Sequence, residues 1–527
     1  MRKVTRYEWE GLFKQTQRGM DAINKFRRLT SDECTSADML EVAKEYDPDI
    51  FENVGVGDRE YLELIDRIRD ALDWLLYDEL PYIDDRECLH EVYSHLLVAL
   101  AGKYPDYAEA EDILDSMGNT DFKGLEGWNT LVSLALHSAL PEVFLPNLFV
   151  MRADVLREVA DGWDIQMPPL PPRTSHRKRC LYYALLNDAL YGYARGCGID
   201  DPAEACALLY AYLSPRAEEA VREKNSAPMP EKPLRAWMLC GNYGGDEREM
   251  ESGYWQCNGL ARRGDILVFY EKSPTKKINA IYRAQTDGIT DPFFHYYSYV
   301  RIGGRIEIPD GQAATYAQMR ESRYFSEERP KEGNFVAKNF QDVSGWRVTY
   351  GDYREIVSIL ASNGFDVSML PTMFKPGRYA ETEVRNERDV SRRLVMLLND
   401  MGWVEGRDFE REVKFPAGHT ETGASSDKRP DFCLHVKRWK DGEITAKVVI
   451  EVKRLSGTER QLLKDMNQAR TYAKWGSPKV LALCDKECIR VFTRKSDSER
   501  FDMRCPTEFW WAEMDTDRVA ELKSLFS

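Results

Sequence analysis

Residues 446–454, AKVVIEVKR, decide how the C-terminal part of the chain folds. A run of valine and isoleucine is β-branched and stiff, so it disfavours a helix and predicts a buried strand. Side chains two residues apart share one face of a strand, so Glu451 and Lys453 point the same way as Val449. A carboxylate and an ammonium group on one face of an apolar strand predict a functional site.

The segments around this strand predict an α/β domain. A helix is expected at 386–403 and another at 459–475, with strands between the two helices and after the second. The order along the chain is α-β-β-β-α-β-β, which is typical of an α/β sandwich. The predicted strands read REVKF, PDFCLHVKR, AKVVIEVKR, KVLALCD and CIRVFTR.

The strand that precedes AKVVIEVKR contributes a second carboxylate. Asp431 alternates with Phe432, so it also leaves the core face. If the two strands are neighbours, Asp431, Glu451 and Lys453 converge. Carboxylates bind Mg²⁺ through hard oxygen ligands, and the Val452 carbonyl is a further candidate ligand. Lys453 would then orient an attacking water or stabilise charge on a phosphate.

The motif Pro430-Asp431 … Glu451-Val452-Lys453 resembles that of the PD-(D/E)xK nuclease superfamily. Gln468 and Tyr472 add a Q-x-x-x-Y one helical turn apart, which looks like the motif of type I restriction motor subunits and RecB-like nucleases. This resemblance covers less than a third of the chain. It implies a restriction-endonuclease-like fold and a Mg²⁺ cofactor, with Mn²⁺ as a substitute. The catalytic residues it implies are Asp431, Glu451, Lys453, Gln468 and Glu387.

Alternatives stay open for the outer members of this set. Glu387 is equally explained as a carboxylate that stabilises the start of its helix. Glu383 is the alternative candidate for the catalytic role. Tyr472 would either contact the substrate or pack its helix on the sheet. His419 is more readily a loop histidine without a catalytic role. The chain lacks GxxxxGK[ST], so a motor would have to come from a partner.

The middle of the chain, 231–370, predicts a small, strongly curved β domain. It follows a Pro-rich linker at 224–234 and consists of short, aromatic, β-rich segments. Trp255, Asn258 and the strands RRGDILVFYEKS and KINAIYRA resemble EVE-type domains of the PUA-like group. That resemblance implies a base-binding pocket with Trp255, Asn258 and Tyr270 as substrate contacts, since bases stack on aromatic rings.

Other residues of this segment are candidates for the same task. The alternative for every aromatic residue is a place in the core of a small barrel. The further candidate pocket residues are Trp237, Tyr254, Phe269 and Tyr282, and the candidate backbone contacts are Arg262, Arg263, Lys272, Lys276 and Lys277.

The first 230 residues predict a helical assembly or regulatory region. Apolar residues recur at helical spacing in 58–80, and Asp201, Pro202 and Glu204 form a helix-start pattern. The basic cluster RTSHRKR at 173–179 is interpreted as a solvated helix start more than as a phosphate contact. The chain is therefore expected to be multidomain, with domains at 1–230, 231–370 and 371–527.

Bulk composition limits the function classes. The net charge of −15 argues against a surface that is basic all round, although a local basic cleft can still bind nucleic acid. No secretion signal is recognised, and the apolar segment 130–151 contains His137 and Glu142, so no membrane span is expected. Eleven scattered cysteines without C-x-x-C argue against structural zinc and for the cytoplasm.

Together with these features, the two resemblances imply a metal-dependent endonuclease that cleaves nucleic acid, with DNA favoured, in prokaryotic restriction or antiphage defence. The PUA/EVE-like segment would sense bases, including modified ones. In one alternative the chain is a nucleic-acid-binding or regulatory subunit. In another, it works as a homo-oligomer or inside a larger defence complex, and cutting needs a partner.

Overall fold

The structure is a computed structural model of the 527-residue chain, and it divides into two compact units. Unit 1 contains Met1–Pro230, Trp237–Tyr316 and Lys331–Trp346, and unit 2 contains Glu231–Ala236, Ala317–Pro330 and Arg347–Ser527. The residues it describes are 3–46, 48, 51, 57–76, 89–101, 117–229, 233, 235–242, 253–331, 333–373, 379, 384–415, 429–440, 442–454, 462, 465, 469, 477–494, 501, 506–511 and 514–527.

Two helices of unit 1 begin where the sequence predicts them. In α3 the side chains of Ile65, Ile68 and Leu72 are buried on one face, as their spacing predicts. The Asp201 carboxylate accepts a hydrogen bond from the Glu204 N–H and caps α8, which confirms the predicted helix start. The helices are α1 Gln17–Leu29, α2 Ser36–Tyr46, α3 Asp58–Trp74, α4 Leu89–Leu100, α5 Asn129–Ala139, α6 Ala153–Trp163, α7 His176–Gly196, α8 Pro202–Ala207 and α9 Ser214–Ser226.

The β-rich segment belongs to the same compact unit as these helices, although the sequence suggested a separate domain. Strands β2, β6, β4 and β3 pair antiparallel in that order, and β1 lies beside β3. Strand β5 pairs with β6, and β7 with β4. The strands are β1 Ala236–Gly241, β2 Tyr254–Gln256, β3 Ile266–Glu271, β4 Lys277–Ala284, β5 Ile289–Thr290, β6 Ser298–Glu307 and β7 Ala314–Thr315.

One hydrophobic core joins the helices and strands of unit 1. It runs from Val4 to Ala217 and includes Tyr254, Phe294 and Tyr299 from the β-rich segment. Arg179 in α7 is buried and donates hydrogen bonds to the carbonyls of Pro292 and Phe294. The predicted solvated helix start is therefore wrong for Arg179, because its guanidinium satisfies buried carbonyls.

Unit 2 contains a mixed six-stranded sheet in the order β16-β15-β14-β13-β10-β9. Strands β13 and β14 are parallel, and the other neighbours are antiparallel. The six-stranded sheet consists of β9, β10 and β13 to β16, and β11 and β12 form a separate two-stranded sheet. The strands numbered after β7 are β8 Trp346–Val348, β9 Phe409–Arg411, β10 Phe432–Leu434, β11 Lys437–Arg438, β12 Ile444–Thr445, β13 Val448–Val452, β14 Val480–Cys484, β15 Cys488–Thr493 and β16 Thr507–Trp510. The helices numbered after α9 are α10 Tyr316–Glu321, α11 Tyr350–Ser362, α12 Glu387–Asp400 and α13 Thr516–Phe526.

Each face of the six-stranded sheet covers its own core. Phe432, Ile450 and Val452 pack with residues of α12 and α13 on one face. Cys433 and Val449 pack on the other face with Ala469. Because Glu451 lies between Ile450 and Val452, it belongs to the face of Val449. The predicted strand at 446–454 is confirmed as Val448–Val452.

Shorter helical turns complete the described chain. Turns of π type lie at Tyr7–Phe13, Leu208–Leu213 and Tyr324–Glu328, and 3₁₀ turns at Asn119–Phe122, Leu125–Trp128, Asp310–Gln312 and Val367–Met369. Among the described helices, none has both the length and the apolar character needed to cross a membrane. Most residues of the apolar segment 130–151 are instead buried in unit 1.

Candidate active site

The register of the sheet brings the two candidate metal ligands together. Phe432 pairs with Ile450 across the antiparallel strands, so the next position outward sets Asp431 opposite Glu451. Residues directly opposite in such a pair have neighbouring side chains on the same face. The main chain ties the pair further, because the Val452 N–H donates to Asp431 Oδ2 over 2.7 Å. The pairing of β10 with β13 therefore places the Asp431 and Glu451 side chains next to each other, as the sequence predicted.

Lys453 completes a compact charged group. Its Nζ lies 2.6 Å from Glu451 Oε1, and Glu451 itself is 3% exposed. The two side chains share a face because they are two residues apart on β13. Burial lowers the pKa of Lys453, but the hydrogen bond and charge of Glu451 outweigh burial and raise the pKa overall. The ammonium group is therefore held in its charged form.

The carboxylates of Asp431 and Glu451 repel one another when both are ionised. Burial, and then the nearby charge of Asp431, raises the pKa of Glu451 to about 7. Burial also raises the pKa of Asp431, although the Val452 N–H and the charge of Lys453 act in the other direction. Two carboxylates that share a buried place resist being ionised together. A cation bound between them would remove that conflict.

Glu387 lies at the start of α12 and is exposed. Asn386 forms the N-cap, with its side chain accepting from the Asp389 N–H, so the cap fixes where the helix begins. The charge of Glu387 raises the pKa of both Asp431 and Glu451, which places it near the group. Its rival, Glu383, lies outside the described residues.

Glu412 is a neighbour of the site that the sequence analysis missed. The β9–β10 register extends to set it opposite Asp431, and its N–H donates to the Asp431 carbonyl over 3.2 Å. Its charge raises the pKa of Asp431. It has φ +51°, uncommon outside glycine, and the alternation of side chains breaks there. A left-handed residue at the end of a strand cannot be recognised in REVKF, which has a regular strand pattern.

The donor set suits a hard divalent cation. Asp431 and Glu451 offer carboxylate oxygens, and the main chain of Val452 lies beside both. Within the described ranges, no group of three or more His, Cys, Asp or Glu side chains is close enough to hold a metal ion. The two opposed carboxylates are therefore the protein ligands that the described structure offers, and Glu387 is a nearby charge.

Three predicted residues cannot be placed. Gln468 and Tyr472 of the Q-x-x-x-Y motif, and the loop residue His419, lie outside the part of the chain that the structure describes. Ala469, inside the motif, is described and packs in the core beneath Val449, on the same face as Glu451. The roles of Gln468 and Tyr472 stay predictions.

The aromatic residues predicted to hold a base lie in the core of unit 1. Trp255 is 2% exposed and meets the ring of Phe269 edge to face, with centroids 5.2 Å apart. Tyr270 is also buried and stacks on Phe340, with centroids 3.6 Å apart. These ring faces pack against other rings, which is the core role that the sequence analysis gave as the alternative to a base-binding pocket.

The polar candidates of the same segment also have structural partners. Asn258 accepts from the Leu260 N–H and donates to the Gly345 carbonyl, so it orders a turn. Lys277 is buried and paired with Asp310. The remaining buried aromatic candidates are Trp237, Tyr254, Phe269 and Tyr282, the half-buried cations are Arg262 and Arg263, and the exposed lysines are Lys272 and Lys276. Their contacts with a substrate stay predictions.

Unit 1 also contains a cleft of about 840 Å³. Its cations are largely balanced, because Lys25 pairs with Glu45 and Arg152 with Glu218. Such pairing leaves little net charge to select an anionic ligand. The cleft is therefore a weaker candidate site than the charged group of unit 2.

Comparisons with protein-family models, with curated proteins and with solved structures give no match for this chain. The interpretation of the charged group therefore depends on its residues and their arrangement alone.

Proposed function

We propose that unit 2 is a metal-dependent phosphodiesterase that cleaves nucleic acid, with DNA as the favoured substrate. The observation that carries the proposal is the register that sets Asp431 opposite Glu451, with Lys453 bonded to Glu451. Two carboxylates that can hold a metal ion and a lysine that can stabilise phosphate charge, on one sheet face, support metal-assisted phosphoryl chemistry. The resemblance of Pro430-Asp431 … Glu451-Val452-Lys453 to PD-(D/E)xK nucleases supports the same reaction.

Each residue has a distinct task in this proposal. Asp431 and Glu451 would hold Mg²⁺ or Mn²⁺, and the Val452 N–H keeps Asp431 aimed at the site. When bound, such a cation neutralises a phosphate and lowers the pKa of a water molecule. Lys453, charged and beside Glu451, stabilises negative charge that develops on the scissile phosphate. Glu387, at the start of α12, and Gln468 are proposed to assist.

The biological setting belongs to the same proposal. A nuclease joined to a PUA/EVE-like segment fits restriction or antiphage defence in a prokaryotic cytoplasm, with the segment sensing bases. Nine of the described cysteines are free thiols, which is compatible with a reducing compartment. The acidic net charge of −15 favours a partner subunit or a homo-oligomer that helps to hold the substrate.

The test compares wild-type protein with Glu451→Gln in the presence of Mg²⁺. The substrates are plain plasmid, phage DNA with natural base modifications, and single-stranded RNA. Glutamine keeps the size of the side chain but removes its charge, so cleavage should fall by about 100-fold or more. The substrate that wild-type protein cleaves also identifies the nucleic acid.

The matched control is Glu405→Gln, which removes an exposed carboxylate of the same unit that pairs with Arg411. Full activity of this variant shows that losing a carboxylate of the unit is not in itself enough to abolish cleavage, and loss of activity in identically purified Glu451→Gln excludes a contaminating nuclease. Equal cleavage by wild type and Glu451→Gln, or cleavage that persists in EDTA, would contradict the proposal. If wild-type protein cleaves none of the substrates, the alternative in which a partner licenses cutting is favoured.

A further inference from the structure

A small hairpin projects from the chain between the two candidate catalytic strands. Strands β11 and β12 pair Lys437 with Thr445 and Arg438 with Ile444. The turn closes through hydrogen bonds from the Trp439 N–H to the Glu443 carbonyl and from the Gly442 N–H to the Trp439 carbonyl. Gly442 has φ +87°, a conformation that glycine adopts at little cost.

One face of the hairpin is anchored to the sheet. Arg438 forms two hydrogen bonds of 2.7 and 2.5 Å with the carboxylate of Glu410 on β9. Ile444, on the same face, packs against the core that includes Val449. A two-stranded hairpin is marginally stable alone, so these contacts hold it in place.

The other face presents a tryptophan to solvent. Trp439 is 54% exposed, and among the residues that the structure describes it is the one exposed tryptophan. Its Nε1 donates to Thr445 Oγ1 over 3.2 Å, which fixes the orientation of the ring. Lys437 lies on the same face and Lys440 follows the ring in sequence, and both lysines are exposed. A prepositioned aromatic face between cations is a surface that suits a nucleic-acid base and its flanking phosphates.

We propose that this hairpin is a nucleic-acid contact in which Trp439 stacks on a base and Lys437 and Lys440 meet phosphates. The proposal rests on the proposed function of unit 2 and adds to it a substrate-binding contact, here called the hairpin grip. Asp431 and Trp439 are eight residues apart. At full extension that distance is at most roughly 27 Å, so one short oligonucleotide reaches both.

Stacking should contribute more than charge at this surface. Glu410 neutralises Arg438, and Glu443 lies across the turn from Trp439, so the net positive charge of the hairpin is small. Stacking on an aromatic ring tolerates any base, because every base has a flat π face. The hairpin is therefore a grip for unpaired or splayed bases without sequence preference.

The test measures binding in EDTA, where cleavage does not interfere. Fluorescein-labelled 20-nucleotide single-stranded DNA, the same sequence as RNA, and the duplex are titrated with wild type, Trp439→Ala and Trp439→Phe. The alanine variant should bind single strands about 5- to 150-fold more weakly, and the phenylalanine variant should stay near wild type. The matched control is Val404→Ala, which shortens another exposed apolar side chain of unit 2.

The outcomes separate this proposal from the nuclease proposal. If Trp439→Ala binds every probe as tightly as wild type, the hairpin grip is wrong, whatever Glu451→Gln does to cleavage. If Trp439→Ala instead changes only the molar mass measured by light scattering, the hairpin is an interface between copies of the chain and the grip is also wrong. If binding falls as expected while neither wild type nor any variant cleaves, the base contact by the hairpin stands and cleavage by this chain alone is ruled out.

Discussion

His137 in α5 shows how one buried side chain couples unit 1 to pH. Its Nδ1 lies 2.7 Å from the Phe144 carbonyl, and its Nε2 lies 3.7 Å from Cys206 Sγ. A carbonyl only accepts, so Nδ1 carries the proton and Nε2 is the acceptor of a neutral ring. Burial lowers the pKa of His137 to about 4. The folded state therefore excludes a proton that the unfolded chain binds below pH 6.5.

We predict that His137 makes unit 1 lose stability as the pH falls from about 6.5 to 4. Between these values the unfolded state binds more protons, so the free energy of unfolding decreases by about 3 kcal/mol from this group. His137→Asn keeps a donor for the Phe144 carbonyl but does not titrate. Its urea midpoint, although lower at pH 7, should depend less on pH. Parallel midpoint curves for the two proteins from pH 7 to 4 would disprove this.

Residue-level roles were only partly predictable. Glu451 and Lys453 could be recognised because charge on an apolar strand is locally unusual. Trp255 and Tyr270 could not be assigned to a pocket or a core, because their surroundings come from residues such as Phe340 that are distant in sequence. Glu412 was missed because its left-handed backbone depends on the neighbouring strand.

At the scale of elements, the start of α12 controls the position of Glu387. The Asn386 side chain accepts from the Asp389 N–H, and Asp389 accepts from the Asn386 N–H, so each end of this capping box supports the other. Glu387 is the first residue of the helix. Loss of the Asn386 cap should therefore displace the Glu387 carboxylate and also destabilise α12.

We predict that Asn386→Ala lowers the free energy of unfolding of unit 2 by about 1 kcal/mol and also reduces cleavage. Asp515→Ala is the matched control, because Asp515 caps α13 by accepting from the Arg518 N–H. It should cost similar stability but leave cleavage unchanged. Urea unfolding and the plasmid assay measure the two effects, and Asn386→Asp should restore both. Equal loss of activity in the two alanine variants would argue against a specific role for the α12 start.

Element prediction succeeded where one pattern dominates a segment. The strands β13, β14 and β15 follow runs of valine, isoleucine and leucine, and all three are confirmed. The predicted strand at 430–438 is divided, because His435 takes φ +54° between β10 and β11. Helix α13 was not predicted, since only Leu522 and Phe526 of its eleven residues are buried and the apolar stripe is short.

At the scale of the whole molecule, the proposed metal site should connect ligand binding to the stability of unit 2. A ligand that binds only the folded state stabilises it by about 2.7 kcal/mol at 100 times its Kd. The opposed charges of Asp431 and Glu451 give a cation a favourable place only when the strands are paired.

We predict that Mg²⁺ raises the unfolding temperature of one calorimetric transition in wild-type protein and does so far less in Glu451→Gln. Potassium chloride at equal ionic strength is the control for screening. Glu405→Gln should respond as wild type does. Identical Mg²⁺ responses of wild type and Glu451→Gln would show that the cation binds elsewhere or not at all.

The shared core of unit 1 has a consequence for how this chain can evolve. Tyr254, Phe294 and Tyr299 pack with the helices, and Arg179 bonds to the carbonyls of Pro292 and Phe294. Recombination near residue 230 would separate partners on both sides and expose apolar surface on each fragment. The helical and β-rich segments should therefore be inherited together in related proteins. Compensating substitutions should occur in pairs, one residue before and one after position 230.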